Sequence, residues 1–120
     1  MANPFNDQKK FMLACNQTVG TLNENQYNLY LNLIKEEVAE LHAAVADNDR
    51  VEQLDALIDI LVVTVGAIHS AGFDADGAWK EVMHSNFAKV NKRTGKVEKR
   101  EDGKVLKPDG WNPPNLRPYV

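Results

Sequence analysis

Apolar positions recur at helical spacing through most of the chain, and the breaks between those runs divide it into four segments. Asn6 or Asp7 can cap a first helix that runs to about Val19, before Gly20, with Phe11, Met12, Cys15 and Val19 on its apolar side. A second, longer helix is expected from near Glu24 to Asp47. Its residues Tyr27, Leu31, Ile34, Val38, Leu41 and Val45 alternate steps of four and three, so they form one stripe. Asp47-Asn48-Asp49 ends that helix and caps a third, from about Val51 to Ala71, which stops at Gly72. Asp74 caps a fourth, from Ala75 to about Val90, with Trp79, Val82, Met83, Asn86, Phe87 and Val90 inward. Beyond it the period is lost. Thr94-Gly95 and Asp102-Gly103 are turn signals, Lys96 to Leu106 suits a short hairpin around Glu101-Asp102-Gly103, and KPDGWNPPNLRPYV reads as an arm. The expected fold is all-α: a single domain over 1–120, with a four-helix bundle body over about 6–92 and a basic C-terminal hairpin or extended arm over about 93–120.

Two of the helices carry acids where packing is expected. With Ile34 at 0° and about 100° per residue, Glu37 falls near −60°, between Tyr30 and Leu33; Glu40 lies on the border of the apolar face and Glu36 nearer solvent. The third helix has Leu54, Leu57, Leu61, Val65 and Ile68 on one side, with Ile60 and Ala67 continuing the apolar surface. Its acids Glu52, Asp55 and Asp59 crowd into an arc of about 60°. This helix is expected to be apolar almost all round, and aspartate is a poor mid-helix residue. Unpaired carboxylates on such a face are costly. The helical body offers only Lys9, Lys10, Lys35, Arg50 and Lys80 as basic partners, none at an apolar position. Hard divalent cations, which take carboxylate oxygens, relieve the same cost, and facing helices that contribute two or three acids each can hold them. An EExxE string by itself suits a solvated helix face; with Asp55 and Asp59 it points to metal.

Composition adds an asymmetry. The 120 residues are 43% apolar and 26% charged, enough for one domain with a core. The net charge of −3 divides into 13 acids and 5 bases over residues 1–83, against 4 acids and 9 bases over 84–120. An acidic body suits cations and a basic tail suits phosphates, although a solvated, charge-balancing tail accounts for the second equally well. The one cysteine, Cys15, excludes an internal disulfide framework and is expected to be a small core residue. The start MANPFNDQKK has no long apolar stretch, and the run Ile60 to Ile68 is too short to span a bilayer, so a cytoplasmic protein without membrane contact is expected. No GxxxxGK[ST] loop is present, zinc spacing is absent, and His42, His69 and His84 are scattered.

EEVAEL, the acidic helix that follows it, and SNFAKVNKRTGKVEKREDGKVLKPDGWNPPNL together resemble the MazG-like nucleotide pyrophosphohydrolases, a group that includes phosphoribosyl-ATP pyrophosphohydrolase. The likeness extends from Leu33 to Leu116, and the C-terminal string is similar to the end of small single-domain members of bacteria and phages. It implies a metal site built from ExxE and ExxD. Glu37 and Glu40 match the first, with Glu36 as an extra acid. The second departs from the pattern: aligned on the following apolar run its aspartate is Asp59, its glutamate position is Ala56, and Asp55 stands one residue earlier. The literal alternative, Glu52 with Asp55, leaves a short spacer, and Glu52 is retained as an outer ligand. The resemblance further implies Mg²⁺, or Mn²⁺, on Glu36, Glu37, Glu40, Asp55 and Asp59. Glu36 or Glu37 would be the base for the water that attacks phosphorus, and a (d)NTP would yield the monophosphate and pyrophosphate. Asn86, Lys89, Lys104, Lys107 and Trp111 are candidate substrate contacts, with Phe11, Asn16 and Gln17 candidates for a base pocket. The base is open; dGTP, dUTP and dCTP all fit the family. An alarmone or phosphoribosyl-ATP hydrolase of this fold, or a noncatalytic helical interaction module, is the alternative. Excess apolar surface and the resemblance both suggest a homodimer or a dimer of dimers; nucleic acid is not the expected partner.

Overall fold

A computed structural model describes residues 2–120. The chain is all-α apart from one small ladder: α1 is Pro4–Ala14, α2 Glu24–Ala46, α3 Arg50–Ser70 and α4 Ala75–Phe87, followed by β1 Val90–Asn91, β2 Lys96–Val97 and a 3₁₀ turn at Arg117–Tyr119. Among the described residues, no single helix is long and apolar enough to cross a membrane. The backbone gathers into two compact units, residues 1–75 and 76–120. The first holds 11 acids against 4 bases and the second 6 acids against 10 bases.

Side chains at the helix ends explain the borders. Asn3, not Asn6 or Asp7, caps α1: its Oδ1 accepts from the Asn6 amide at 3.1 Å, and Pro4 occupies the first turn, where no N–H is needed. The helix ends at Ala14 rather than near Val19 because Asn16 takes a left-handed φ of 59° and the Gln17 amide closes on the Met12 carbonyl at 2.9 Å. Asn48 does the same after α2, with φ 54° and Asp49 N–H donating to Ala44 O at 3.0 Å. Asp49 then caps α3 through the Glu52 amide at 3.1 Å. So short a connection makes α2 and α3 antiparallel neighbours. α4 stops at Phe87, three residues before the expected end, because Val90 and Asn91 pair with Val97 and Lys96. The expected hairpin about Glu101-Asp102-Gly103 is present as a Lys99–Val105 bridge, with Arg100 N–H donating to Lys104 O at 2.8 Å.

In the first unit α3 packs on both α1 and α2. The core is Met12, Tyr30 and Ala67, with Val19, Tyr27, Leu33, Ile34 and Val63 against it. It therefore follows Tyr30 and Leu33 rather than the line of Leu31, Val38 and Val45, all three of which are exposed. Phe11 and Cys15, expected inside, are exposed as well, while Gln8 is buried. The Tyr30 ring lies directly on Gly66, where any Cβ would overlap it, and its hydroxyl donates to Gln17 Oε1 at 2.5 Å. Tyr27 meets Phe73 edge-on, with centroids 6.4 Å apart.

A polar knot fixes the α1–α2 loop to the end of α3. Gln26 Nε2 donates to Thr18 O at 2.7 Å and to Ser70 Oγ at 2.8 Å, and Gln26 Oε1 accepts from Thr18 N–H at 2.9 Å. The Gly20 and Asn23 amides donate to His69 O and Ser70 O. The buried His69 ring is itself satisfied, with Nε2 2.8 Å from Phe5 O.

Gly66→Ala is expected to lower stability despite the better helix propensity of alanine, worth about 1 kcal/mol. The added methyl meets a ring held at both ends, and overpacking of that kind costs about 1–3 kcal/mol or more. The urea midpoint should fall, with an unchanged slope.

Candidate active site

The antiparallel register that sets Tyr30 on Gly66 carries down the helix pair. Residue numbers of facing positions keep the same sum, so Leu33 faces Val63 and, one turn further, Glu37 faces Asp59. Glu40 lies one turn beyond Glu37 and Asp55 one turn before Asp59, which brings four carboxylates to one stretch of the α2–α3 seam. Glu37 and Asp59 are half-buried, Glu40 and Asp55 exposed. Glu36 faces solvent. Glu52 is exposed in the first turn of α3.

Electrostatics single out the same four. Burial pushes the Glu37 carboxyl up to about 7, and the adjacent charges of Glu40, Asp59 and Asp55 add to the rise. Burial also raises Asp59, followed by Asp55 and Glu40. Glu36 and Glu52 contribute to neither shift. Among the described residues no lysine or arginine pairs with Glu37 or Asp59; the Arg100–Asp102 pair lies in the other unit. Glu37 Oε2 is buried with no hydrogen-bond partner. A buried oxygen lone pair among negative charges is an unfavourable arrangement that a cation would relieve.

The donor set fits a hard divalent ion: oxygen only, four acids, one orphaned oxygen and no competing base. Among the described residues no three histidine, cysteine or carboxylate side chains already converge on one point, so holding an ion takes side-chain rotation on both helices. Glu40 and Asp55, being exposed, have the freedom to do so.

Of the candidate substrate residues, Asn86, Lys89, Lys104, Lys107 and Trp111 lie in the second unit, while Phe11, Asn16 and Gln17 lie in the first. Asn86 is exposed, not inward, so the expectation of a buried amide is overturned; Trp79 and Phe87 are likewise exposed. The Asn86 amide instead accepts from Lys89 Nζ at 3.1 Å. Lys89 and Lys107 both lie over the Trp111 ring, at 5.0 and 5.1 Å from its centroid. Trp111 is anchored by Nε1–H donating to the Ser85 carbonyl at 2.7 Å, and the arm is tied again by Asn115 N–H to Glu81 Oε1 at 3.0 Å. Lys104 sits in the turn, its amide on Asp102 Oδ1. The roles of Ser85 and Glu81 were not legible in the sequence, since one acts through its backbone carbonyl and the other meets a residue 34 positions away.

The Glu37 shift has a sign that can be measured. A carboxyl raised in the folded state binds its proton more tightly there, so the stability Glu37 contributes is fully present below the ordinary carboxylate range and is lost as pH rises through about 7. The metal-free protein is expected to lose melting temperature from pH 5 to pH 7.5, and Glu37→Gln to flatten that decline and melt higher at pH 7.5. Thermal scans in a chelator across that range check it.

No characterised protein matches the chain. A family model, that of phosphoribosyl-ATP pyrophosphohydrolase, matches residues 10–86, which include all of α2 and α3, their four clustered acids, and most of α4. That span exceeds half of the chain, and an all-α body with an acidic α2–α3 seam agrees with it. The chain belongs to the phosphoribosyl-ATP pyrophosphohydrolase family, within the MazG-like all-α superfamily, and is a nucleotide pyrophosphohydrolase, a hydrolase of phosphoric anhydrides.

Proposed function

We propose that this chain converts a nucleoside or deoxynucleoside triphosphate into the monophosphate and pyrophosphate. The observation that carries the reading is the unpartnered Glu37 oxygen within the Glu37/Glu40/Asp55/Asp59 group. These four acids would hold Mg²⁺, or Mn²⁺ in its place, with Glu36 as a further, outer acid. Bound there, such an ion neutralises charge on phosphoryl oxygens and makes water more acidic. Glu36 or Glu37 takes the proton from the attacking water. Its oxygen bonds to the α-phosphorus, the α–β anhydride bond breaks, and pyrophosphate leaves with the bonding pair. Among the described residues no lysine or arginine pairs with these carboxylates, which leaves them free for this work. A dGTP-type or other pool-controlling deoxynucleotide is the first substrate to examine. The family that matches is named for phosphoribosyl-ATP, which presents the same scissile anhydride and is the second.

The experiment is a panel of NTPs, dNTPs and phosphoribosyl-ATP with Mg²⁺ or Mn²⁺, separating nucleotide products from pyrophosphate. Monophosphate plus pyrophosphate from one or a few bases is the expected result. Asp59→Asn is expected to reduce kcat/KM at least about 100-fold, the loss of a few kcal/mol of charge stabilisation, while leaving the helical spectrum intact. Full activity in Asp59→Asn would sink the assignment.

We also propose a homodimer, or a dimer of dimers. Val51, Leu54, Leu57, Ile58 and Leu61 are exposed on consecutive turns of α3, next to the acids, and a continuous apolar face of this kind is rarely left in water. Light scattering should give at least twice the 13.4 kDa chain mass, and Leu57→Glu with Leu61→Glu should give the single-chain mass. A single-chain mass for the unaltered protein at high concentration would refute it.

A further inference from the structure

The α2–α3 seam is held at both ends, and the carboxylates lie between the two fixed points. At one end the Tyr30 ring fills the space that a side chain at position 66 would take: a Cβ built on Gly66 comes within 2.3 Å of the Tyr30 Cε1. The ring is not free to swing aside. It is buried, it packs with Met12 and Ala67, and its hydroxyl donates to Gln17. At the other end the buried residues are small, Ala44 on α2 and Ala56 on α3. There the Ala44 carbonyl accepts from Asp49 N–H at 3.0 Å and from Gln53 Nε2 at 3.4 Å, which ties the helices across their short connection. Glu37 stands midway on α2, seven residues from Tyr30 and seven from Ala44. By the same register Asp59 faces it, between Ala56 and Gly66 on α3.

We propose that the Tyr30–Gly66 contact sets the size of divalent ion that the carboxylates accept. The inference rests on the reading of those acids as a metal site and extends it to selectivity. Mg²⁺ takes oxygens at about 2.0–2.1 Å and Ca²⁺ at about 2.3–2.6 Å, so oxygens on opposite sides of the ion stand roughly 0.5–1 Å further apart for calcium. A methyl at position 66 requires the 2.3 Å approach to open to ordinary contact at 3.4 Å or more, a displacement of about 1 Å. Hinged at the alanine end, the helices pass about half of it, roughly 0.5 Å, to the level of Glu37 and Asp59. That is the scale of the difference between the two ions. Glu40 and Asp55 are exposed and can follow by rotating. Glu37 and Asp59 are half-buried, and the aspartate side chain is short, so the helix backbones decide their separation. Tyr30 and Gly66 act only through those backbones and are positioning residues.

The test uses the full chain without nucleotide and Mn²⁺ as the probe, because the paramagnetic resonance signal of the free ion fades as it binds. Mg²⁺ and Ca²⁺ then compete for the site, at a temperature where every variant is folded. Gly66→Ala is expected to move the ratio of the two competition constants about tenfold toward Ca²⁺. Lost stability alone leaves that ratio where it was, because both ions are measured on the same folded protein. Adding Tyr30→Leu to Gly66→Ala makes room for the methyl and should return the ratio to that of the parent. An unchanged ratio in Gly66→Ala, with ions still bound, overturns the inference and leaves the metal reading standing; so does a ratio that stays shifted in the double variant. No binding of any of the three ions by the unaltered chain overturns the metal reading and this inference with it. If Gly66→Ala does not fold, Ala56→Val wedges the opposite end of the seam, with the same shift expected and the same unchanged ratio as refutation.

Discussion

The contact between Tyr30 and Gly66 governs the first unit. Helices approach closely where one of them lacks a side chain, and at Gly66 the facing residue is a flat ring that uses all of the space. That contact sets both the distance between α2 and α3 and their register. The register in turn decides that Glu37 faces Asp59 rather than an isoleucine one position away. A rotation of either helix by a single residue would send its acids into solvent, where they would be cheap to keep and useless as a group. The unfavourable electrostatics of the seam are therefore stabilised from two turns away, by apolar packing and by the Tyr30–Gln17 hydrogen bond.

Much of this was legible in the sequence. The α2–α3 connection was visible because Asp47-Asn48-Asp49 holds both a left-handed turn residue and a cap, both local devices. Glu37, Glu40, Asp55 and Asp59 were visible because carboxylates interrupt an apolar period. The side of α2 that forms the core was not. Its apolar residues cover more than one face, and the choice of Tyr30 and Leu33 over Leu31 and Val38 depends on a glycine 36 positions from Tyr30. The inward placing of Asn86 and Phe87 failed for a related reason: helical period locates a stripe but does not say what, if anything, covers it. The β1–β2 ladder was missed because its strands have two residues each, too few to show alternation.

The two units differ in charge. Acids outnumber bases in the first, 11 to 4, and bases outnumber acids in the second, 10 to 6. In the first unit the charged groups are forced together by packing and remain unsatisfied. In the second, Lys89 and Lys107 lie against the Trp111 ring.

The loop between α1 and α2 has one more consequence. Although it lacks regular structure, its Thr18, Gly20 and Asn23 amides are bonded to Gln26 or to the last carbonyls of α3. Those protons are released to solvent only when the loop separates from the end of α3, not by local fraying. Their hydrogen exchange should therefore keep pace with the core helices, and a ligand that tightens the α2–α3 pair would be detectable there, in a loop that touches none of the carboxylates.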